Sequence, residues 1–251
     1  KQAIAKITLN RPEALNALNR TMVMEFGQAL EEAENDNEVR VVIVTGQGKA
    51  FCVGFDLKFA KELGSLQDQQ NFCKLGNRLM LERMENMGKP VIAAINGFTL
   101  AGGFEIMLAA DLVIASEDAV IGDQHVSGGF IGAGGSPYRL VILVGLRKAK
   151  ELVLTSKRLT GKEAEQIGLV NRAVPREQLE GAVNEVATAI AEYSPVAVRF
   201  SKAIMNRTAY VDMPTRLDLT MLYGMMNNAS EDYQEGIRAF NEKRKPQFKG
   251  R

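Results

Sequence analysis

Hydrophobic and polar positions alternate over Ile4-Ala5-Lys6-Ile7-Thr8-Leu9, the period of a half-buried strand, and the pattern stops at Asn10-Arg11-Pro12, a turn signal. Residues 19–34 then place Met22, Val23, Phe26, Leu30 and Ala33 at helical spacing. Val39 to Thr45, interrupted only by Arg40, is a run of branched and mostly apolar residues suited to a strand buried on both faces, which completes one βαβ-like step. Gly46 to Asp56 reads as a glycine-bearing loop, and Asp68 to Met87 as one long amphipathic helix. Val91 to Ile95 reads as another buried strand closing at Asn96-Gly97. The beat repeats with a short helix over Ala101–Ala110 and a strand over Asp111–Ala115.

Gly128, Gly129, Gly132, Gly134 and Gly135 mark a loop that leads into a helix near Pro137, a residue tolerated at a helix start. Beyond Gly145 the strand signal fades. Helices are expected over Arg147–Thr155, Lys162–Ile167, Glu177–Glu192, Pro195–Asn206, Met213–Ala229 and Asp232–Lys243. The pattern therefore predicts an α/β body up to roughly Val174 and a helical tail after it, without internal repeats or low-complexity segments.

Composition narrows the class of protein. The chain has 251 residues, enough for one large α/β domain with or without an appendage, and 46% of them are hydrophobic. A formal net charge of +1 supplies no field that would favour nucleic acid or an anionic membrane, so neither partner is expected. Apolar stretches are broken by glycine or charge well short of the ~18 residues a membrane span needs. Two cysteines outside any CxxC pattern point to a reducing cytoplasm, and a single histidine cannot build a zinc site of familiar spacing. The glycine cluster lacks the βαβ context of a nicotinamide or flavin fingerprint, so no metal and no separate cofactor are expected. The chain opens at Lys1, without Met and within a strand pattern, leaving room for further N-terminal residues or a targeting segment.

Three segments could carry chemistry. In Lys49-Ala50-Phe51-Cys52-Val53-Gly54-Phe55-Asp56-Leu57-Lys58 a strand ends in a loop that turns at Gly54 and starts a helix capped by Asp56, leaving backbone N–H groups free to meet an anion. An ordinary capped strand-to-helix turn would have the same sequence. In Asn96 to Glu105 the chain enters a helix at Gly102-Gly103, where early amides lack helical partners and Glu105 sits in the first turn. Glu105 reads either as a proton carrier or as a dipole-pairing carboxylate. His125 follows Gly122-Asp123-Gln124 and is the side chain best suited to exchange a proton near neutral pH. Asp123, two residues earlier, could orient its imidazole or merely cap a turn, and Tyr138 could donate to a ligand or pack.

In order and spacing these segments resemble the enoyl-CoA hydratase/isomerase (crotonase) superfamily. The resemblance runs through ITLNRPEALNALN (Ile7 to Asn19), VRVVIVTGQGKAFCVGFDLK (Val39 to Lys58), KPVIAAINGFTLAGGFEIMLAADLVIAS (Lys89 to Ser116), GFIGAGGSPYRL (Gly129 to Leu140), LTGKEAEQIGLVNRAVP (Leu159 to Pro175) and EGIRAFNEKRKPQF (Glu235 to Phe248). It implies a spiral core of two roughly perpendicular sheets in residues 1–190 and a C-terminal helical region, 191–251, used to form a trimer or a dimer of trimers.

The implied substrate is an acyl-CoA thioester whose oxygen is held by the N–H groups of Phe55 and Gly102, an oxyanion hole that favours the enolate over the neutral carbonyl. Phe55, where small residues are common in the family, is expected to narrow the acyl pocket. Lys49, Val53, Asp56, Leu57, Lys58, Gly103, Gly132 and Lys243 are implied to lie around the acyl-CoA, the lysines near CoA phosphates or adenine.

Hydratases of the family use two glutamates, and here the positions are held by Glu105 and His125. The leading expectation is a lyase in which these two share the proton work. Carbon-carbon hydrolysis or double-bond isomerisation on the same enolate scaffold is the enzymatic alternative, and a CoA-binding or RNA-associating scaffold without turnover the non-enzymatic one.

Overall fold

A computed structural model describes residues 3–251. The backbone is organised by two sheets. The larger has five parallel strands in the order β1 (Ile4–Leu9), β2 (Val41–Gly46), β4 (Val91–Ile95), β6 (Leu112–Ser116) and β9 (Arg172–Val174). The smaller contains β3 (Ala50–Cys52), β5 (Phe98–Leu100), β7 (Val120–Gly122) and β8 (Leu159–Thr160), the first three parallel and the last antiparallel.

The continuous apolar runs of β2 and β4 are explained by burial on both faces. Val42, Val44, Ala93 and Ile95 point into the main core with Phe26, Leu30 and Phe104, while Val41, Ile43, Ile92 and Ala94 point the other way, under Leu179, Ala182 and Val183 of a later helix.

The strands Ile4–Leu9, β2, β4 and β6 lie where the hydrophobic pattern predicts them, within two residues. The small sheet does not follow from the pattern. The stretch 46–56 contains β3, the turn at Asn96-Gly97 runs directly into β5, and β7 to β9 lie in segments without a strand signal, two of them beyond Gly145. Strands of two or three residues are too short to show a period, and pairing with neighbours is what makes them strands.

The helices are α1 (Arg20–Asn35), α2 (Leu57–Glu62), α3 (Leu66–Gly76), α4 (Glu82–Asn86), α5 (Gly102–Ala109), α6 (Ser136–Thr155), α7 (Gly161–Gln166), α8 (Leu179–Ala191), α9 (Pro195–Thr208), α10 (Met213–Asn228) and α11 (Glu231–Asn241). The long helix expected over 68–87 is divided: a π turn at Asn77–Leu81 joins α3 to α4 and shifts the faces that follow. The helix at Pro137 and the one expected at Arg147 form a single element, α6, bent at Gly145 (φ 76°, ψ 159°).

Helix α9 is tied to the core by Lys202, which is 5% exposed. Its Nζ donates to the carbonyls of Met84 (2.7 Å) and Lys89 (3.0 Å) and meets Asp111 Oδ2 at 2.7 Å. No helix among the described residues is long and apolar enough to cross a membrane.

Candidate active site

The segments singled out for chemistry leave the C-terminal ends of β3, β5 and β7, which are hydrogen-bonded neighbours. Parallel pairing of Cys52 with Thr99, and of Leu100 with Gly122, therefore brings Gly54-Phe55, Ala101-Gly102 and Asp123-Gln124-His125 to one edge of the small sheet. Loops at strand C-termini recur as ligand sites in parallel sheets for this reason.

The first two segments touch. A Cβ added to Gly54 would stand 2.6 Å from the Gly102 nitrogen, and Gly54 has φ +93°, so both space and backbone geometry require glycine. Leu18 forms a parallel bridge with Phe55, in which the Leu18 N–H donates to the Gly54 carbonyl (2.7 Å) and the Asp56 N–H to the Leu18 carbonyl (3.0 Å). Phe55 contributes neither group to that bridge, so its own N–H points away from Leu18. Gly102 is the first residue of α5, where an N–H has no partner within its helix. Ala101, just before it, holds φ 48° and ψ −118°, a conformation costly for a residue with a Cβ and of the kind that persists where a site is built. Gly103 lets α5 approach β3 closely, since a Cβ there would lie 2.0 Å from the Cys52 carbonyl oxygen.

Glu105, His125, Asp123 and Ser136 form a connected ring of polar groups. Glu105 is 6% exposed, on a helix whose neighbouring side chains are all apolar, and its Oε1 accepts from the Ser136 N–H at 3.2 Å. Ser136 begins α6, so the positive end of that helix faces the carboxylate. The Ser136 hydroxyl donates to Asp123 Oδ2 at 2.5 Å. Asp123 Oδ1 accepts from both the backbone N–H (3.0 Å) and the ring Nδ1 (2.7 Å) of His125, so it caps the turn and orients the imidazole at once. The ring closes at His125 Nε2, 3.9 Å from Glu105 Oε2.

These contacts set the charge states. Burial pushes the Glu105 carboxyl up, opposed by the His125 charge and the Ser136 N–H. For His125 burial acts downward, but the hydrogen bond it donates to Asp123 and the charges of Glu105 and Asp123 outweigh it, and the imidazole is raised above its ordinary value. Asp123 is held below the usual carboxylate range because hydrogen bonds from His125 and Ser136 overcome its burial. The Glu105 and His125 pair is thus arranged to hold one proton between a buried acid and a histidine kept basic.

The glycine loop lies directly against these side chains. A Cβ on Gly132 would fall 3.0 Å from Glu105 Oε1 and 3.2 Å from His125 Nδ1, and one on Gly134 would fall 2.5 Å from Glu105 Oε2. Arg139 fixes the loop by donating to the Gly134 carbonyl while gripping Glu85 through two bonds of 2.6 and 2.9 Å.

Phe55, Gly102, Gly103, Glu105, His125 and Gly132 are therefore brought together. Asp56 has its carboxylate engaged within the chain: it caps α2 through the N–H groups of Lys58 (2.9 Å) and Phe59 (3.3 Å) and pairs with Arg11 at 2.7 Å, which holds it below its ordinary range. Val53 is half-buried in the loop, and Lys49, Leu57 and Lys58 are exposed around it. Lys243 lies just past α11 with φ 52°, exposed, and no contact among the described residues joins it to this cluster. Tyr138 is exposed and stacks on the Arg139 guanidinium at 4.7 Å.

Ser136 carries no signal in the sequence that would single it out. Its place at the first residue of a helix facing two acidic side chains is a tertiary fact. No group of three or more His, Cys, Asp or Glu side chains among the described residues is arranged to hold a metal ion.

Known proteins are similar to this chain in sequence and in fold. The family profile of enoyl-CoA hydratase/isomerase matches residues 1–251. A short-chain-enoyl-CoA hydratase of Clostridium acetobutylicum is 40% identical over 250 residues, covering 99% of this chain and 95% of that protein. A crotonyl-CoA hydratase of Syntrophomonas wolfei is 36% identical over 249 residues, covering 99% and 95%. The crystal structure of an enoyl-CoA hydratase from Bacillus anthracis superposes with a TM-score of 0.95 at 36% identity, covering 100% of this chain and 97% of that one. With its whole length matched and its two-sheet fold shared, this chain belongs to the enoyl-CoA hydratase/isomerase family, the crotonase superfamily.

Proposed function

We propose that this protein is a lyase that adds water to, or removes it from, an α,β-unsaturated acyl-CoA thioester. The observation that carries the reading is the Glu105–Ser136–Asp123–His125 ring set beside the Phe55 and Gly102 amides. The thioester oxygen lies between the two N–H groups, which bind the enolate oxygen more strongly than the neutral carbonyl. Across a separation of 3.9 Å, a water about 2.8 Å from both Glu105 Oε2 and His125 Nε2 would see them at an angle of roughly 90°, which a hydrogen-bonded water tolerates.

Glu105 takes a proton from this water as its oxygen bonds to Cβ, and the π electrons move onto the thioester oxygen. Collapse of the enolate takes the proton of the His125 imidazolium onto Cα. The proton left on Glu105 returns to His125, restoring the starting state, and dehydration runs the same steps backwards. Asp123 keeps Nδ1 protonated throughout, so that Nε2 is the nitrogen that exchanges.

CoA enters as part of the substrate, with no separate cofactor. Lys49 and Lys58, exposed on the segment that carries Phe55, suit its phosphates. Residues 191–251 serve as the oligomerisation region of a homotrimer or dimer of trimers, a reading supported by Met213, Leu217, Met221, Leu222, Met225 and Met226 on α10, all 49–68% exposed. Two free cysteines support a reducing, cytoplasmic setting.

The test follows crotonyl-CoA by loss of conjugated thioester absorbance, with products identified by mass, for wild type, Glu105→Gln and His125→Ala. Wild type is expected to form the 3-hydroxyacyl-CoA and each variant to lose roughly 10²- to 10⁴-fold. Absence of turnover on every enoyl-CoA by a wild type that still binds CoA esters would refute the reading and direct attention to β-keto substrates.

A further inference from the structure

The glycine loop is held from outside at two consecutive carbonyls. Asn77 Nδ2 donates to the Ala133 carbonyl at 2.9 Å, and Arg139 Nη1 donates to the Gly134 carbonyl. The Arg139 guanidinium is in turn gripped by Glu85, whose two carboxylate oxygens accept from Nε (2.6 Å) and Nη2 (2.9 Å) as a fork.

Asn77 and Glu85 belong to one helical stretch, and the π turn between α3 and α4 is what brings them to one face. Eight residue steps separate them, about 2.2 turns of an α-helix, which would set the two side chains roughly 80° apart. A π turn takes up one extra residue, closed here by the bond from the Glu82 N–H to the Asn77 carbonyl. The stretch therefore turns as about seven steps would, about 1.9 turns, and the two side chains align to within roughly 20°.

Gly134 carries this grip to the chemistry. Its carbonyl is bound by Arg139, while a Cβ on it would fall 2.5 Å from Glu105 Oε2 and 2.6 Å from Glu105 Cδ. Movement of Gly134 toward Glu105 displaces the carboxylate, and movement away frees it to leave its place 3.9 Å from His125 Nε2. Arg139 and Glu105 lie on two sides of this one residue, and the guanidinium charge favours the Glu105 carboxylate. Glu85, paired with that cation, moderates the effect.

We propose that Asn77, Glu85 and Arg139 are positioning residues for the proton transfers: together they clamp the glycine loop against the Glu105 carboxylate, and the π turn serves to aim Asn77 and Glu85 at that loop. The inference rests on the hydration reading given above. None of the three belongs to the Glu105–Ser136–Asp123–His125 ring, and each acts through Ala133 or Gly134.

The experiment measures kcat and KM for crotonyl-CoA hydration from about pH 5 to 9 in wild type, Asn77→Ala, Glu85→Gln and Arg139→Gln. A loosened loop lets Glu105 drift, so kcat is expected to fall about tenfold or more in the Glu85 and Arg139 variants and about threefold in Asn77→Ala, with KM within about threefold of wild type. The pH profile separates positioning from general damage. The groups facing Glu105 are His125 and Asp123 after β7, Ser136 and Arg139 on α6, and Cys73 on α3, and those facing Arg139 are Glu85 and Tyr138. Glu105 must be a carboxylate to take the proton of water, so activity falls as pH drops through its value. Glu85→Gln leaves the Arg139 cation without its counter-charge, which favours the carboxylate and moves the acid limb to lower pH. Arg139→Gln removes the cation and moves that limb to higher pH, the two shifts being at least about 0.3 pH unit each.

Folded variants with kcat within twofold of wild type, or acid limbs that stay in place or move the same way, would overturn the proposal. If Arg139→Gln shows no cooperative thermal transition, Glu85→Gln decides the matter, since it must both lose kcat and lower the acid limb. Should wild type hydrate no enoyl-CoA, the hydration reading fails separately, and hydrogen–deuterium exchange of the peptide spanning residues 129–136 reads the clamp instead. Faster exchange confined to that peptide in the variants sustains it, and exchange that is unchanged or raised throughout the chain sinks it.

Discussion

Asp123→Asn isolates the charge on the residue that orients His125. The substitution is nearly isosteric, and the structure dictates how the amide must sit. Oδ1 accepts from two N–H groups of His125, so the amide must keep its carbonyl oxygen there and put its NH₂ in place of Oδ2, toward the Ser136 hydroxyl, which can turn to accept. Geometry and tautomer are thereby kept while the charge is lost. A hydrogen bond to a charged group is worth roughly 1.5–3 kcal/mol, about twice a neutral one, so the imidazolium loses roughly 1–1.5 kcal/mol of support relative to the neutral ring. That corresponds to about 5- to 13-fold less imidazolium wherever the neutral form prevails.

The sign follows from the direction of the shift. In wild type His125 is raised, so its proton persists to higher pH and activity that needs the imidazolium is lost only as pH rises through that elevated value. In the variant the same limb lies at lower pH. The assay is kcat/KM for crotonyl-CoA hydration from pH 5.5 to 9.5. The expected result is a small loss at the acid end that grows to about 5- to 13-fold on the alkaline side, with the acid limb less affected. A loss equal at every pH would refute the argument, because it would mean that Asp123 acts on structure alone.

Glu105→Gln bears on stability as well as rate. A carboxyl raised by burial weakens the fold as pH climbs from its unfolded to its folded value, so the neutral amide is expected to melt at or above the wild-type temperature at pH 7 while activity collapses. A markedly lower Tm would contradict the burial argument. Gly134→Ala puts a methyl 2.5 Å from Glu105 Oε2 and 2.6 Å from its Cδ, displacing the carboxylate, and about 10²-fold in kcat is expected to go with circular dichroism unchanged. Full activity would show that the loop yields instead. Lys202→Met leaves Asp111 and two carbonyls without their buried cation, and urea unfolding should register a loss of roughly 3–5 kcal/mol. A change under 1 kcal/mol would mean that water reaches the site.

The amino-acid sequence by itself determined the strongly patterned parts of this protein. Runs such as Val41–Val44 and Val91–Ile95 are apolar throughout because both faces are buried, and helices such as α1 and α8 show the period of one buried face, so burial writes each of them into the order of residues. Glu105, His125 and the glycines around them were also legible, because few residue types can carry a proton or let two backbones meet.

Tertiary structure alone decided what joins them. The strands β3, β5 and β7 have three residues each, too few for a pattern, and exist because they pair, yet their pairing is what sets Phe55, Gly102 and His125 at one edge. Ser136 gains its place between Glu105 and Asp123 only when α6 docks against α5, and the contact of Phe55 with Phe72 spans separate elements. A periodic face is a local property of the chain, whereas a hydrogen bond or ring contact between distant residues depends on packing that no single segment encodes.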